Sequence, residues 1–328
     1  MQIWFSLVYF QFCNFLYFQN QEMETISKKI FISLLFTIAI NTCFANFYKI
    51  DFILKNLPDR VIVLGLVKGD EFIPIDSLMA ENELAQFRIP EESQTGVYRI
   101  NMGQTKYAEV MDEGPQLFDF IFNKEDIIIE TDFKSPEKSV SVILSTENKY
   151  WFAFKKKIQV IDTEISFLSK ELDMHTGEYS NQTIKTAQQY NLLQIERNLF
   201  VDKIYREDST LFAAQMVKTF KTPVLDGYLT GNERKEVFQK EYFKTVHFDN
   251  EALIYSQCYT DNVFNYLVSY NDKSFTKEQR IKAYKNGLDM ILPNINKNKI
   301  VYDFLMEYLK HGFNVLEMQE LVEYLSNN

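Results

Sequence analysis

The segment SVSVILSTENKYWFAFKKKIQVIDTEISFLSKEL, residues 139–172, decides the fold class, because its apolar pattern changes from that of a strand to that of a helix. SVSVIL, before Ser145, has the short period of a β-strand. After Ser145 the apolar residues recur at the spacing of one helix face, at Ile161, Ile165, Leu168 and Leu172. The change of period predicts that strands precede Ser145 and that helices follow it.

Ser145-Thr146-Glu147 fits the start of a helix, since it supplies a hydroxyl cap and an acidic charge in the first turn. We expect that helix to begin near Asn148. The sequence therefore predicts an α+β fold, with an N-terminal antiparallel β-sandwich-like domain over 46–145 and a C-terminal all-α helical bundle over 146–328.

The first half contains short segments of strand character that are separated by turn formers such as Lys68-Gly69-Asp70. VYRINM, residues 97–102, alternates cleanly, with Tyr98, Ile100 and Met102 on one face. The other candidate strands are FYKIDFIL, RVIVLGLV, EFIPIDSL, LAQFRI, QLFDFIF, DIIIETDF and SVSVIL. This number and spacing predict an antiparallel sandwich or barrel-like sheet, with no helix inside it.

In the second half a further apolar stripe, predicted to be the packing face of a second long helix, consists of Leu192, Ile195, Leu199 and Lys203. The polar segment around His175 separates this helix from the first, and we expect the two to pair antiparallel. Near the C-terminus, His311-Gly312 is predicted to end one helix before another begins.

Residues 23–45 have the order of a secretory signal. Lys28 and Lys29 precede an apolar stretch from Ile30 to Ile40, and small or polar residues lead to Ala45. The stretch is too short to cross a bilayer of ~30 Å as a helix. We expect translation to start at Met23 and cleavage to follow Ala45, so that the mature chain is exported to the periplasm without a stable transmembrane span.

Residues 1–22 are apolar and aromatic, and they lack Lys and Arg. They are either a mis-chosen start, with Met23 as the true first residue, or a first membrane anchor facing the periplasm. A lipid anchor is a further alternative, although Asn41 and Thr42 before Cys43 fit a lipoprotein signal poorly.

The chain carries a net charge of −10, and cleavage after Ala45 leaves this value unchanged, because two lysines and two glutamates are removed. An acidic chain without a basic block argues against nucleic acid as a partner. Cleavage leaves Cys258 as the one cysteine, which excludes an internal disulfide and favours a buried thiol.

The residues that could support chemistry form no recognisable constellation. His175, His247 and His311 are too far apart for the short ligand spacings of a zinc site. His247 and Asp249 lack a nucleophile signature, and we expect them to point to opposite sides, within a capped turn before a helix near Glu251.

The remaining candidates are equally weak. The acidic pairs Asp70-Glu71, Asp112-Glu113 and Glu125-Asp126 are typical of solvated turns. Gly227 and Gly231 lack the spacing of a phosphate loop, and Asn181-Gln182-Thr183 is a bare glycosylation sequon. We therefore predict no catalytic, cofactor-binding or metal-binding residue, and no cofactor.

Several stretches resemble the region that precedes the thioredoxin-like domain in exported, Bacteroidetes-type thiol:disulfide oxidoreductases. They are FIPIDSLMAENELAQFRIPEESQTGVYRI, QLFDFIFNKEDIIIETDF with ILSTENKYWFAF, and EYFKTVHFDNEALIYSQCYTDNVFNYL. In that family the redox centre is a Cys-x-x-Cys pair, which this sequence does not contain. The resemblance therefore implies an accessory module of the cell envelope and transfers no catalytic residue.

Three functions follow as hypotheses. The first is a non-enzymatic envelope protein that binds a protein partner or associates with itself. The second is the front part of a split or truncated thiol:disulfide oxidoreductase, which the DNA downstream of the codon for Asn328 would test. The third is a hydrolase whose site brings two carboxylates together in a cleft.

Overall fold

The strands of the first half form two four-stranded sheets in the computed structural model, which describes residues 46–58, 61–174 and 180–328. The signal-peptide prediction, with Met23, Cys43 and Ala45, lies outside these residues, as does His175. The strands are β1 Phe47–Lys55, β2 Val61–Lys68, β3 Glu71–Met79, β4 Leu84–Pro90, β5 Gly96–Asn101, β6 Leu117–Phe122, β7 Ile127–Asp132 and β8 Ser141–Leu144.

Sheet A has the strand order β4-β1-β7-β8, and sheet B has the order β3-β2-β5-β6. Strands β1 and β7 pair parallel, with Ile50 opposite Ile127, whereas β2, β5 and β6 pair antiparallel with their neighbours in sheet B. The predicted α+β class, with an antiparallel-rich sandwich before the helices, is confirmed. The expectation of no helix in this half is wrong, because the connections contain α1 Lys106–Val110 and α2 Pro136–Ser139.

The two sheets enclose an aromatic core. Tyr98, Ile100 and Met102 are buried in it, which confirms the alternation read from VYRINM. Phe52 packs edge-to-face on Phe120, with ring centroids 5.1 Å apart. On the opposite face of β5, Val97 belongs to a second core, which is shared with the helices.

Strand β3 is an edge strand of sheet B, as formed by the described residues, and most of its side chains are exposed. Pro74 lies in the middle of it, and the pairing register with β2 shifts between Leu64 and Gly65. A proline and a bulge are common features of edge strands, since neither suits the interior of a sheet.

The second half is helical, and its described residues include 3₁₀ helices at Tyr242–Lys244 and Glu251–Tyr255. The α-helices are α3 Thr146–Met174, α4 Asn181–Glu207, α5 Phe212–Lys218, α6 Gly231–Glu241, α7 Cys258–Val268, α8 Lys277–Ile295, α9 Lys299–Val315 and α10 Gln319–Ser326.

The start of α3 is capped as the sequence predicts. The backbone N–H of Asn148 donates to Ser145 Oγ at 2.9 Å. The carboxylate of Glu125 accepts from the backbone N–H groups of Thr146 and Glu147, at 2.9 and 3.1 Å. A carboxylate at this end also faces the positive pole of the helix dipole.

Helices α3 and α4 form the predicted antiparallel pair, here called the helical hairpin. Phe154 stacks on Phe200, with centroids 5.7 Å apart, and Gln189 donates to Glu164 at 3.0 Å, so early residues of α3 meet late residues of α4. The predicted stop at His311-Gly312 is wrong, because α9 continues to Val315. Leu309 and Phe313 are buried on either side of Gly312 and hold this last turn in place.

Sheet B and the helices are in direct contact, and the described residues within 48–89 and 93–328 form one compact unit. The backbone N–H of Gly69 donates to the carbonyl of Ile254 at 3.0 Å. Arg99 pairs with Asp119 and also donates to the side chain of Gln257, at 3.3 Å. The helices therefore cover the outer face of sheet B at the end where Gly69 and Val97 lie.

Candidate protein-interaction surfaces

His247 and Asp249 line the same shallow crevice, which encloses about 310 Å³ of empty space together with its mouth. Val246 and Phe248 are buried, whereas His247 and Asp249, which alternate with them, are exposed, so the extended chain directs His247 and Asp249 to one side. The expectation that they point apart was wrong, because residues two apart in an extended segment share a face.

The crevice nevertheless offers no activated nucleophile. Its two threonine hydroxyls, on Thr219 and Thr245, donate to the backbone carbonyls of Met216 and Tyr242, at 2.7 and 2.9 Å. The hydroxyl of Tyr259, which also lines the crevice, accepts from the backbone N–H of Asn250 at 3.0 Å. Asp249 is the one carboxylate among the lining residues, whereas an acidic hydrolase site needs two. Asn250 Oδ1 accepts from Ala252 N–H and caps the following 3₁₀ helix, as the capped-turn interpretation predicts.

Two of the three acidic pairs of the sequence contribute to structural contacts, whereas Asp112 and Glu113 are exposed. Asp70 accepts from the hydroxyl of Thr260 at 2.9 Å, and Asp126 accepts from the backbone N–H of Lys49 at 2.8 Å. Glu125 caps α3, as described above. Among the described residues, no group of three or more His, Cys, Asp or Glu side chains is placed to hold a metal ion.

The thiol of Cys258 and the threonine of the sequon are both buried. Cys258 is buried at the start of α7, and burial raises the pKa of its thiol above the ordinary value. In the sequon, Asn181 is exposed but the side chain of Thr183 is buried. The backbone N–H of Thr183 donates to Ser180 Oγ.

The apolar stripe of α4 faces solvent, which contradicts the packing role predicted for it. Leu192 and Leu199 are 60% and 62% exposed, and Ile195 is also exposed. The buried side of α4 is instead partly polar. Gln194 exchanges two hydrogen bonds of 2.9 Å with the backbone of Leu225. Arg197 binds Asp162 and the carbonyl of Phe220.

Helix α3 has a matching exposed line, in which apolar residues recur every seven positions at Val160, Phe167 and Met174. Trp151, on another side of α3, packs against Phe220. Both helices therefore turn one side towards residues 220–225 and their apolar lines towards the opposite side. We call this surface the hairpin face; it consists of Val160, Phe167, Met174, Leu192, Ile195 and Leu199.

The hairpin face is bordered by charges of both signs. Exposed Glu164 lies four residues after Val160, and exposed Glu196 lies four residues after Leu192, so a carboxylate stands beside each apolar line. Lys185, Leu192, Leu199 and Arg206 follow one another at intervals of seven residues, so a positive charge stands at each end of the α4 line. Beside the α3 line, and again seven or fourteen residues apart, are the exposed lysines Lys149, Lys156 and Lys170.

A second exposed apolar surface lies at the end of sheet B that the helices leave uncovered. Val61 is opposite Met79 in the β2–β3 register, and Leu117 is opposite Asn101 in the β5–β6 register. The connection between β5 and β6 carries α1 at this end. We call the surface the sheet tip; its exposed members are Val61, Met79, Tyr107, Val110, Met111 and Leu117.

The sheet tip is acidic. Segments 79–84 and 102–116, which surround it, contain five carboxylates and one cation, Lys106. The carboxylates are those of Glu81, Glu83, Glu109, Asp112 and Glu113. The sheet tip therefore has an acidic border, whereas the border of the hairpin face is of mixed charge.

Neither a protein-family model nor a curated protein matches the chain. The proposed function therefore rests on the exposed surfaces described above and on the sequence. Within residues 46–58, 61–174 and 180–328, no helix has the length and apolar character needed to cross a membrane.

Proposed function

We propose that the chain is an exported, non-enzymatic protein of the cell envelope, which binds a protein partner or a second copy of itself through the hairpin face. Export is supported by the signal-like segment from Met23 to Ala45. The resemblance to the front region of exported thiol:disulfide oxidoreductases supports a place beside such systems in the periplasm.

The observation that carries this proposal is the exposure of six large apolar side chains on one side of the helical hairpin. Single exposed apolar residues are common, but contiguous apolar surfaces with polar borders are typical of protein–protein interfaces. Because polar Gln194 and Arg197 occupy the buried side of α4, exposure of the apolar stripe is built into the packing of this helix.

The experiment compares the full chain with the double variant Leu192→Gln/Leu199→Gln, by cross-linking in the envelope and by native mass measurement after purification. We expect the parent chain to form a specific complex and the double variant to lose it. Val315→Gln is the matched control, because Val315 is an equally exposed apolar residue, at 68%, on α9 and away from the hairpin.

Two results would count against the proposal. One is a strictly monomeric parent chain that cross-links to no envelope protein. The other is a complex that the double variant retains while the control behaves as the parent does. Urea unfolding of both variants shows whether either substitution has disturbed the fold.

A further inference from the structure

We propose that the sheet tip binds a positively charged segment of a partner protein, one that carries apolar side chains among its lysines or arginines. The inference goes beyond the proposed function, because the sheet tip and the hairpin face share no residue. The helices cover sheet B at the end where Gly69 and Val97 lie, and the sheet tip is at the opposite end.

The strand residues of the sheet tip lie on one side of sheet B. Ile62 and Phe118 are buried in the aromatic core, so their neighbours Val61 and Leu117 point to the outer side of the sheet. Met79 is opposite Val61 in the register and shares that side. Adjacent exposed apolar side chains on strand ends form a surface suited to contact with another molecule.

Helix α1 adds the most exposed side chains of this surface. Its Ala108 is buried, and the backbone N–H of Ala108 donates to Thr105 Oγ at 3.0 Å, which anchors the helix. Tyr107 and Val110 are 68% and 84% exposed. Tyrosine and methionine are enriched in protein interfaces, and Met111 follows directly. The sheet tip therefore offers apolar anchors for a partner.

The acidity of the sheet tip is local. The whole chain contains 45 acidic and 35 basic residues, whereas segments 79–84 and 102–116 contain five carboxylates and one lysine. Asp59 and Arg60, just before β2 in the sequence, add one charge of each sign. Sheet A is nearly balanced at the same end, with Glu130, Asp132 and Glu137 accompanied by Lys55, Lys134, Lys138 and Lys155.

Lys55 shows how the carboxylates at this end act on a cation. Its pKa is raised above the ordinary value, chiefly by the hydrogen bond and the charge of Glu130, with smaller contributions from Glu83 and Asp132. Glu83 belongs to the border of the sheet tip. A partner's lysine or arginine would be attracted in the same way, whereas an anionic lipid surface or a nucleic acid would be repelled. The border therefore favours a basic polypeptide.

The test measures binding of a dye-labelled synthetic peptide of alternating leucine and lysine to the purified chain, by fluorescence anisotropy. Peptides of alternating serine and lysine, and of alternating leucine and glutamate, separate the contributions of charge and apolar contact. We expect the Leu-Lys peptide to bind, the Ser-Lys peptide to bind roughly tenfold more weakly, and the Leu-Glu peptide not to bind. Added salt should weaken binding, since the border charges are exposed.

Two variants of the sheet tip remove the charge and the apolar anchors separately. Glu81→Lys/Glu113→Lys and Tyr107→Gln/Val110→Gln should each weaken binding of the Leu-Lys peptide roughly tenfold. All four side chains are exposed, and urea unfolding shows whether either variant has disturbed the fold.

The matched control for charge is Glu307→Lys/Glu320→Lys, which changes the net charge by the same amount at exposed positions of α9 and α10. It should bind the peptide as the parent does. Equal weakening by this control and by Glu81→Lys/Glu113→Lys would overturn the inference, because binding would then follow net charge. Absence of binding to the parent chain would overturn it too, as would binding that both tip variants retain or equal affinity for the Ser-Lys peptide.

These outcomes are separate from those of the proposed function. Leu192→Gln/Leu199→Gln, at the hairpin face, should bind the Leu-Lys peptide as the parent does. A chain that binds the peptide at the sheet tip but forms no complex through the hairpin face would refute the proposed function and leave this inference standing. The reverse result would refute the inference alone.

Discussion

The side-chain amide of Asn148 forms two hydrogen bonds with the backbone of Ile121, accepting from its N–H at 2.8 Å and donating to its C=O at 2.7 Å. The first turn of α3 thereby replaces a neighbouring strand at the edge of β6. Asn148 is fully buried, and so is Ile121. This pair of bonds fixes where the helical half begins relative to sheet B.

Asn148→Ala should destabilise the protein by about 2–4 kcal/mol, because it leaves a buried N–H and a buried C=O without partners. Urea unfolding of the variant and the parent measures the difference. Lys149→Ala, at the exposed neighbouring position, should cost less than about 0.5 kcal/mol. Equal stabilities for the two variants would contradict the role given to Asn148.

The close approach of sheet B to the second 3₁₀ helix can be tested at Gly96. A Cβ atom there would lie 2.7 Å from Tyr255 Cβ and 2.8 Å from the Tyr255 carbonyl oxygen. We expect Gly96→Ala to lower the free energy of unfolding by about 1–3 kcal/mol, the usual cost of overpacking. Gly114→Ala is the control, since a Cβ at Gly114 has nothing within 4 Å, and it should cause no loss.

The aromatic core predicts a steep loss of stability in alkali. Burial raises the pKa of Tyr98 to about 12, whereas its phenol is expected to ionise near the ordinary value of 10 once the chain unfolds. A raised folded-state pKa gives a contribution that is fully present below pH ~10 and is lost as the pH rises towards ~12. Burial shifts the pKa values of Tyr242, Tyr259 and Tyr266 in the same direction.

We therefore expect the free energy of unfolding to fall between pH ~10 and ~12, together with a cooperative rise of phenolate absorbance. Tyr98→Phe removes the hydrogen bond to the carbonyl of Gln94, which costs about 0.5–1.5 kcal/mol at neutral pH. The same variant should show a shallower alkaline decline. A decline as steep as that of the parent would argue against Tyr98 as a contributor, and Tyr107→Phe, at an exposed position, is the control.

Cys258 should be unreactive in the folded protein. Its side chain is buried, and burial raises the pKa of the thiol, so little thiolate is present near neutral pH. Treatment of a purified chain that begins at Asn46 with a thiol reagent should label Cys258 only after urea is added. A Val160→Cys variant on the hairpin face is the positive control, and rapid labelling of Cys258 in the native parent chain would refute the prediction.

The strands were predictable from sequence because each alternates or is uniformly apolar over a short segment bounded by turn formers. The burial of Ile161, Leu168 and Leu172 was predictable for the same reason, since local spacing alone identifies the buried side of α3. For α4, local spacing also predicts that the apolar stripe is buried, but this stripe is exposed.

The orientation of α4 depends on partners far along the chain. Gln194 and Arg197 are buried because the backbone of residues 220–225 and Asp162 satisfy their hydrogen bonds. The sequence of α4 alone does not reveal those partners. Its apolar stripe was therefore predicted to face the core. The hairpin face consequently emerges only when the packed arrangement is considered.

Pro74 has a consequence for how copies of this protein meet. A proline lacks the N–H that an added strand would need, so it interrupts the row of donors along the outer edge of β3. Backbone pairing between the sheets of two copies is therefore hindered at this edge. Such edge-to-edge pairing is how β-proteins form amyloid-like aggregates, so aggregation through β3 is hindered as well. Any association of copies of this chain is therefore expected to depend on side-chain contacts, which are reversible.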